Sequence, residues 1–380
     1  MPKYKFTEIA INSTEKKKPT EADKDTYIGL EHLDSGTLTV SRWGADVAPI
    51  GEKLVMKKGD VLFGKRRAYQ KKVGIAPFDG IFSAHGMVLR PREDVITKEY
   101  FPLFISSDYF LKEAIRISVG SLSPTVNWKD LKELEFYIPT IEEQRRTTPL
   151  VWAAIETKNA YKTLISRTDD LVKSQFIEMF GEVKTNPHGF EKVSLTSVCD
   201  FQGGSQPPKK DWVLEPKTGY IRMLQIRDFT QSEKNFVEYV RISNTIKTCQ
   251  EDDILIGRYG ASVGKILTGL AGAYNVAIIK SIPDKTVLDR IYLMQYFLSD
   301  YFQEYVIATG AGRGAQAGFN KDDLSRIDVL LPPMSLQQCF AEIVEQSDKS
   351  KFVAYQEIVF IEKILKYTYN HNFRRKNNVH

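Results

Sequence analysis

Cysteine is scarce in this chain, and the three present, Cys199, Cys249 and Cys339, are too far apart to form a C-x-x-C pair. An odd, scattered set excludes a disulfide framework and a zinc ribbon, and points to a reducing compartment. The five histidines are equally dispersed, with none at metal-ligand spacing to another histidine or a cysteine, so no structural metal is expected. No apolar run approaches the roughly 18 residues of a membrane span. The opening "MPKYKFTEIA" has no apolar core of the signal-peptide kind, so a cytoplasmic protein is expected. Charge of one sign is also in short supply. A net charge of +5 over 380 residues permits a polyanionic partner without demanding one. Hydrophobic content of 42% and charged content of 27% fit an ordinary globular chain with room for two or three domains.

Enzyme motifs are missing as well. Gly59, Gly64 and Lys65 have the G-x-x-x-x-G-K spacing of a phosphate-cradling loop, but Arg66 stands where a magnesium-binding Ser or Thr is required. The intervening "DVLF" has strand character, unlike an anion-cradling nest. In "GRYGASVGKI" the glycines Gly260 and Gly264 are one residue too close, and Ile266 replaces the hydroxyl. "GAGRGAQAG", Gly310 to Gly318, follows a helical pattern rather than the strand that a dinucleotide loop needs. "QPPK" at Gln206 lacks both ends of the Asn-Pro-Pro-aromatic tetrapeptide of amino-methyltransferases. H-E-x-x-H does not occur. The acid pairs Glu142–Glu143 and Asp252–Asp253 are sequence neighbours whose side chains diverge, so no catalytic group is expected.

What is present is a repeat. "YIGLEHL" at Tyr27 returns as "YIRMLQI" at Tyr220, "DVLFGKRRA" at Asp60 as "DILIGRYGA" at Asp253, and "NWKDLKELEFYIP" at Asn127 as "NKDDLSRIDVLLP" at Asn320, each displaced by 193 residues. Gln144 and Gln337, then Phe180 and Phe373, keep that displacement. So long a period means duplicated domains rather than a solenoid. Each copy begins with short β-type runs punctuated by Gly and Pro, together with helical stretches such as "YFPLFISSDYFLKEAI". Each then turns into a glycine-free segment, Ile141 to about Phe180 and Ser335 to about Phe373, read as helices of about 60 Å at 1.5 Å per residue. Gly181 is a fitting stop for the first, whereas Pro149 should kink it or mark its true start. Leu150, Ala154, Tyr161, Leu164 and Leu171 supply its apolar stripe, and Phe340, Val344, Ile358, Ile361 and Leu365 that of the second, with Thr157, Thr168 and Ser347 near the seam. Such imperfect stripes predict helices that pack on each other like a coiled coil.

Basic loops recur at one place in the repeat. Lys65, Arg66, Arg67, Lys71 and Lys72 put five positive charges in eight residues around Tyr69, and the second copy has Arg258, Tyr259 and Lys265 at the equivalent turn, with Arg313 and Gln316 further on. Arg and Lys there suit phosphate neutralisation, and Arg suits bidentate reading of guanine.

Taken as a set, "GDVLFGKRRAYQKKVGIAPFDGIFSAHGMVLRP" (59–91), "YIPTIEEQRR" (137–146), "LVKSQFIEMFG" (171–181), "CDFQGGSQPPKK" (199–210) and "YIRMLQIRD" (220–228) resemble the DNA-specificity subunits of type I restriction–modification systems. Pro149 and the pair Cys339–Phe340 depart from that pattern. The resemblance implies an α/β (α+β) fold with two similar target-recognition domains, 1–140 and 182–334, separated by two antiparallel coiled-coil-like spacer helices, 141–181 and 335–380. It implies a non-catalytic reader of a bipartite, asymmetric site in double-stranded DNA. It also implies partners: two modification subunits, which would carry S-adenosylmethionine, and restriction or translocase subunits; the chain itself would hold no cofactor. The competing expectations are a stand-alone methyltransferase or nuclease with divergent motifs, and a helical scaffold that binds no DNA.

Overall fold

The computed structural model describes residues 1–231, 237–311 and 318–374, with side chains to residue 367. The chain divides into two compact units, Met1–Tyr161 with Gln356–His380, and Lys162–Tyr355. Both unit boundaries fall inside long helices, so each unit owns one lobe and a stretch of each helix.

The two lobes have the same plan. In the first, Ala10–Ser13, Met87–Pro91, Val61–Phe63 and Val73–Ile75 form an antiparallel sheet in that order. In the second, Cys199–Gly203, Ile278–Pro283, Leu255–Gly257 and Ile266–Leu267 repeat it. A smaller sheet follows, in which Tyr27–Ile28 runs parallel to Gly80–Phe82, as Tyr220–Leu224 does to Gly272–Tyr274. Two-stranded ribbons, Lys3–Lys5 with Glu135–Tyr137 and Glu191–Ser194 with Asp328–Leu331, close each lobe onto the start of a long helix. Paired short helices cover the first sheet: Phe101–Ser106 and Asp108–Arg116 in one lobe, Arg290–Leu298 and Asp300–Ala311 in the other. Most of the apolar runs legible in the sequence are strands of these sheets, buried on both faces, as Val61, Leu62 and Phe63 show.

The long helices run Ile141–Phe180 and Met334–Arg374. The first begins at Ile141, not at Pro149. Thr140 and Glu143 form a capping box there, the Glu143 N–H donating to Thr140 Oγ1 at 3.3 Å and the Thr140 N–H to Glu143 Oε2 at 3.0 Å. Pro149 sits on an exposed face inside the helix, where the one hydrogen bond it removes leaves a carbonyl open to water. Gly181 ends the helix with φ +72°, the left-handed cap that glycine adopts without a Cβ clash.

The second helix buries Gln337, Phe340, Val344, Ser347, Ala354, Ile358, Ile361 and Leu365, a seam of three- and four-residue steps with one step of seven between Ser347 and Ala354. The stripe expected for the first helix is corrected in part. Ala154 and Tyr161 pack partly buried against the lobe core, but Leu150, Leu164 and Leu171 are exposed, and the buried positions beside them are Val151, Ile165 and Val172, followed by Phe176 and Phe180. Thr157 also points outward, its hydroxyl bonded to Ala153 O at 2.8 Å. The first unit packs Val151 into one core with Ile361 and Leu365. The second packs Phe176 and Phe180 against Phe340 and Tyr292, with ring centroids 4.8–5.5 Å apart. Early residues of one helix thus meet late residues of the other, so the pair is antiparallel.

Near its start, each long helix is tied to its lobe by one buried glutamine. Gln144 is fully buried; its Oε1 accepts from Thr97 N at 2.8 Å, and its Nε2 donates to Val95 O at 3.0 Å and Pro139 O at 2.9 Å. Gln337 makes the same three bonds, from Asp289 N at 2.8 Å and to Val287 O and Pro332 O, both at 2.9 Å. The repeat therefore extends to individual hydrogen bonds.

Candidate nucleic-acid interface

In the first lobe the strand Val61–Phe63 ends at Gly64, whose N–H donates to Lys72 O at 2.9 Å. A Cβ on Gly64 would stand 3.2 Å from the Lys72 Cβ, so a larger residue there would crowd the facing strand. The hairpin between them is strapped to the segment near Thr125: Arg67 N donates to Pro124 O at 2.7 Å and Val126 N to Lys65 O at 3.0 Å. At the tip, Arg67 (φ +56°) and Lys71 (φ +52°) are both left-handed and bracket a turn, Ala68–Gln70. Two non-glycine residues in that region are unfavourable and persist only where the surroundings hold them. Here the anchor is Ala68, buried in the lobe core, which turns Tyr69 outward with 53% of its surface exposed.

The five cations of this loop do not share one fate. Arg66 and Arg67 are exposed, and their guanidinium groups lie 3.4 Å from the same Ser123 hydroxyl. Lys65 is half-buried beside Lys16, in a pocket of about 160 Å³ also lined by Asn12, Asn127 and Trp128. Burial and, second, the charge of Lys16 hold its pKa below the ordinary lysine range. Burial, then the charges of Arg66, Lys65 and Lys53, likewise lower His85. Lys71 and Lys72 are engaged within the fold, Lys71 with Asp108 at 2.6 Å and Lys72 with Leu30 O at 2.6 Å. Arg66, Arg67 and Tyr69 form the outward-facing set, and Lys65 lines the pocket beside them.

In the second lobe Arg258 and Tyr259 occupy the places of Lys65 and Arg66. Tyr259 bridges Gly318 as Arg66 bridges Thr125, again displaced by 193 residues. The Arg258 guanidinium lies over the Tyr259 ring at 5.1 Å and donates to Phe319 O at 3.2 Å. Lys265 is exposed. Arg313 and Gln316 lie outside the described residues. Sequence reasoning missed Lys16, although the lysine run 16–18 directly after the strand Ala10–Ser13 was a usable signal. This chemistry is that of a polyanion surface: fixed cations, exposed amide and hydroxyl groups, and an aromatic face. Among the described residues no group of three or more His, Cys, Asp or Glu is placed to hold a metal ion, and no helix is long and apolar enough to cross a membrane.

Two copies of one α/β lobe, each built around its own stretch of an antiparallel helix pair and each presenting a basic loop beyond a sheet, define a duplicated recognition-module architecture. The family model described as the type I restriction modification DNA specificity domain matches residues 6–148 and 187–362, and the chain belongs to that family. Among curated proteins it is similar to the type I restriction enzyme EcoDI specificity subunit of Escherichia coli, with 24% identity over 46% of this chain and 40% of that one. It is also similar to the MjaIX specificity subunit of Methanocaldococcus jannaschii, with 20% identity over 72% of this chain and 67% of that one. The match to the first thus spans well under two thirds of that relative's length. Two solved structures share the fold along nearly the whole chain. One is the S subunit of a type I restriction–modification system from M. genitalium, with TM-score 0.61, 14% identity, and 98% and 96% of the two chains covered. The other is a chain from a structure of complex assembly and conformational transition in a type I restriction–modification system, with TM-score 0.56, 20% identity, and 98% and 97% covered.

Proposed function

We propose that the chain is the sequence-reading subunit of a type I restriction–modification complex, each lobe reading one half of a bipartite duplex DNA site. The observation that carries this is the duplication itself. The two lobes share topology down to the Gln144 and Gln337 bonds, yet place Lys65–Arg66 in one copy and Arg258–Tyr259 in the other at the same turn. A constant frame with altered contact chemistry is what two readers of different sequences require. Lys65, Arg66, Arg67, Tyr69, Lys71 and Lys72 belong to the first half-site, and Arg258, Tyr259, Lys265, Arg313 and Gln316 to the second. Lys71 and Lys72 would first have to give up Asp108 and Leu30. The helices set the unread spacer between the half-sites.

Methylation of adenine would take place in modification subunits, where the target base is flipped and S-adenosylmethionine is held. Restriction or translocase subunits complete the assembly, and the chain itself is non-catalytic, holds no cofactor and works in the cytoplasm. The long helices have surface to spare for such partners. Phe352, Val353, Tyr355, Val359, Phe360 and Tyr367 are each more than half exposed on the second helix.

Calorimetry on the purified chain tests the division of labour. No heat of binding with S-adenosylmethionine is expected, and micromolar binding would favour the competing reading of a stand-alone methyltransferase.

A further inference from the structure

A cleft of the second lobe has a volume of about 990 Å³ and is lined by two loops, 204–213 and 241–247. Three cations line it, Lys210, Arg241 and Lys247, and Asp211 is the one carboxylate among the described lining residues. Lys210 and Arg241 are exposed, and none of the three ammonium or guanidinium groups has a carboxylate partner within the described lobe. This contrasts with neighbouring Lys209, which lies 3.9 Å over the Trp212 ring and pairs with Glu238 at 2.9 Å.

Both walls are held in place before any ligand arrives. Ser205 Oγ donates to Thr245 O at 2.9 Å and accepts from Lys247 N at 2.8 Å, which ties the loops together at one end. Trp212 Nε1 donates to Pro207 O at 3.1 Å, and Val213 exchanges two backbone bonds with Tyr239, at 3.0 and 2.8 Å. Pro207 and Pro208 stiffen the stretch between those ties. Loops that served only as solvated connections would not need tying at both ends.

The position recurs. The wall 204–213 follows the strand Cys199–Gly203, the counterpart of Ala10–Ser13, whose following residues line the Lys16–Lys65 pocket of the first lobe. Arg258, the counterpart of Lys65, stands against the base of this wall, its guanidinium 3.1 Å from where a side chain on Gly203 would begin. In both copies, cations converge on the loop that leaves the first strand.

We propose that the second lobe holds duplex DNA in this cleft, with Lys210, Arg241 and Lys247 on backbone phosphates and Gln206 at base edges. The inference rests on the DNA-reading proposal above and adds further contacts to its second half-site. An open cleft with exposed cations suits an extended polyanion, since a site for a small anion would enclose it. Gln206 is exposed on the lining and has the paired donor and acceptor that an adenine edge matches.

The test is fluorescence anisotropy of the full chain with a fluorescein-labelled 40-base-pair duplex across a salt series. Each phosphate contact contributes about 0.9 to the slope of log affinity against log salt. Lys210→Ala, Arg241→Ala and Lys247→Ala combined should lower the wild-type slope by about two to three. Thr245→Lys, on the same rim, should raise it by about one, a gain that a misfolded variant would not produce. A steep wild-type slope left unmoved by both variants would overturn the cleft and leave the DNA-reading proposal standing. A wild-type chain with no salt-dependent binding would overturn both.

Discussion

The two lobes differ most at the edges of the smaller sheet. Three strands are common: Lys53–Met56, Gly80–Phe82 and Tyr27–Ile28 in the first lobe, and Thr248–Cys249, Gly272–Tyr274 and Tyr220–Leu224 in the second. The fourth strand is added on opposite sides. Lys16–Lys17 extends the first sheet beyond Lys53–Met56, whereas Tyr239–Arg241 extends the second beyond Tyr220–Leu224. The added strands carry Lys16 and Arg241, each of which lines a basic cavity of its lobe. The frame repeats where burial constrains it and diverges where side chains meet solvent, so contact chemistry can change without cost to the core.

That contrast can be broken or sharpened, and the largest effect is expected in the part that does not differ. Gln144→Leu and Gln337→Leu each strand a buried N–H and two carbonyls, at about 1–3 kcal/mol per group. Urea denaturation should show a loss of about 3 kcal/mol or more for each variant, alike within about 1 kcal/mol. A large loss for one and none for the other would mean that the lobes do not share a frame.

Next in size is the helix seam. Ile361→Ala removes a buried seam residue and should cost about 2–4 kcal/mol, while Leu150→Ala, 71% exposed, should stay within about 0.5 kcal/mol. A larger loss from Leu150→Ala than from Ile361→Ala would contradict the exposed placement of Leu150.

The lobes then separate in DNA binding. Arg66→Ala with Arg67→Ala should lower the salt slope by about two, whereas Tyr259→Ala, which removes no charge, should leave it near the wild-type value. Lys71→Ala should lower it by about one at most, because that ammonium has first to leave Asp108. No change from Lys71→Ala would show that the Asp108 contact stays closed on binding and would remove Lys71 from the half-site.

The smallest effect is one of pH. A phosphate favours charged Lys65, so binding raises a pKa that is depressed in the free chain. Affinity is then full below the free-chain pKa and declines as pH rises through it, while ordinary lysines are still charged. Lys65→Arg, which stays protonated, should flatten that decline. An unchanged profile would place Lys65 outside the interface.

The repeat and both long helices were legible because a 193-residue displacement and glycine-free stretches are written along the chain. The register of the first helix was not. Leu150, Leu164 and Leu171 mimic a seam, and only packing of Val151 and Phe176 into the lobe cores decides which face is buried. Gln144 and Gln337 could be seen to match, but their shared role depends on carbonyls up to 50 residues away. The basic loop was legible as a charge run. That Lys71 and Lys72 are engaged internally was not, since Asp108 and Leu30 are far off in sequence. The cleft between 204–213 and 241–247 joins loops that no local pattern connects.

The most direct measurement is the methylation motif, determined by sequencing DNA from cells that express the chain with its modification partner, for the wild type, for Arg66→Ala with Arg67→Ala, and for a four-residue insertion after Arg167. The account predicts a two-part motif whose first half alone relaxes in the arginine variant and whose gap alone changes in the insertion. A single continuous motif, or one in which either change alters both halves, would contradict it.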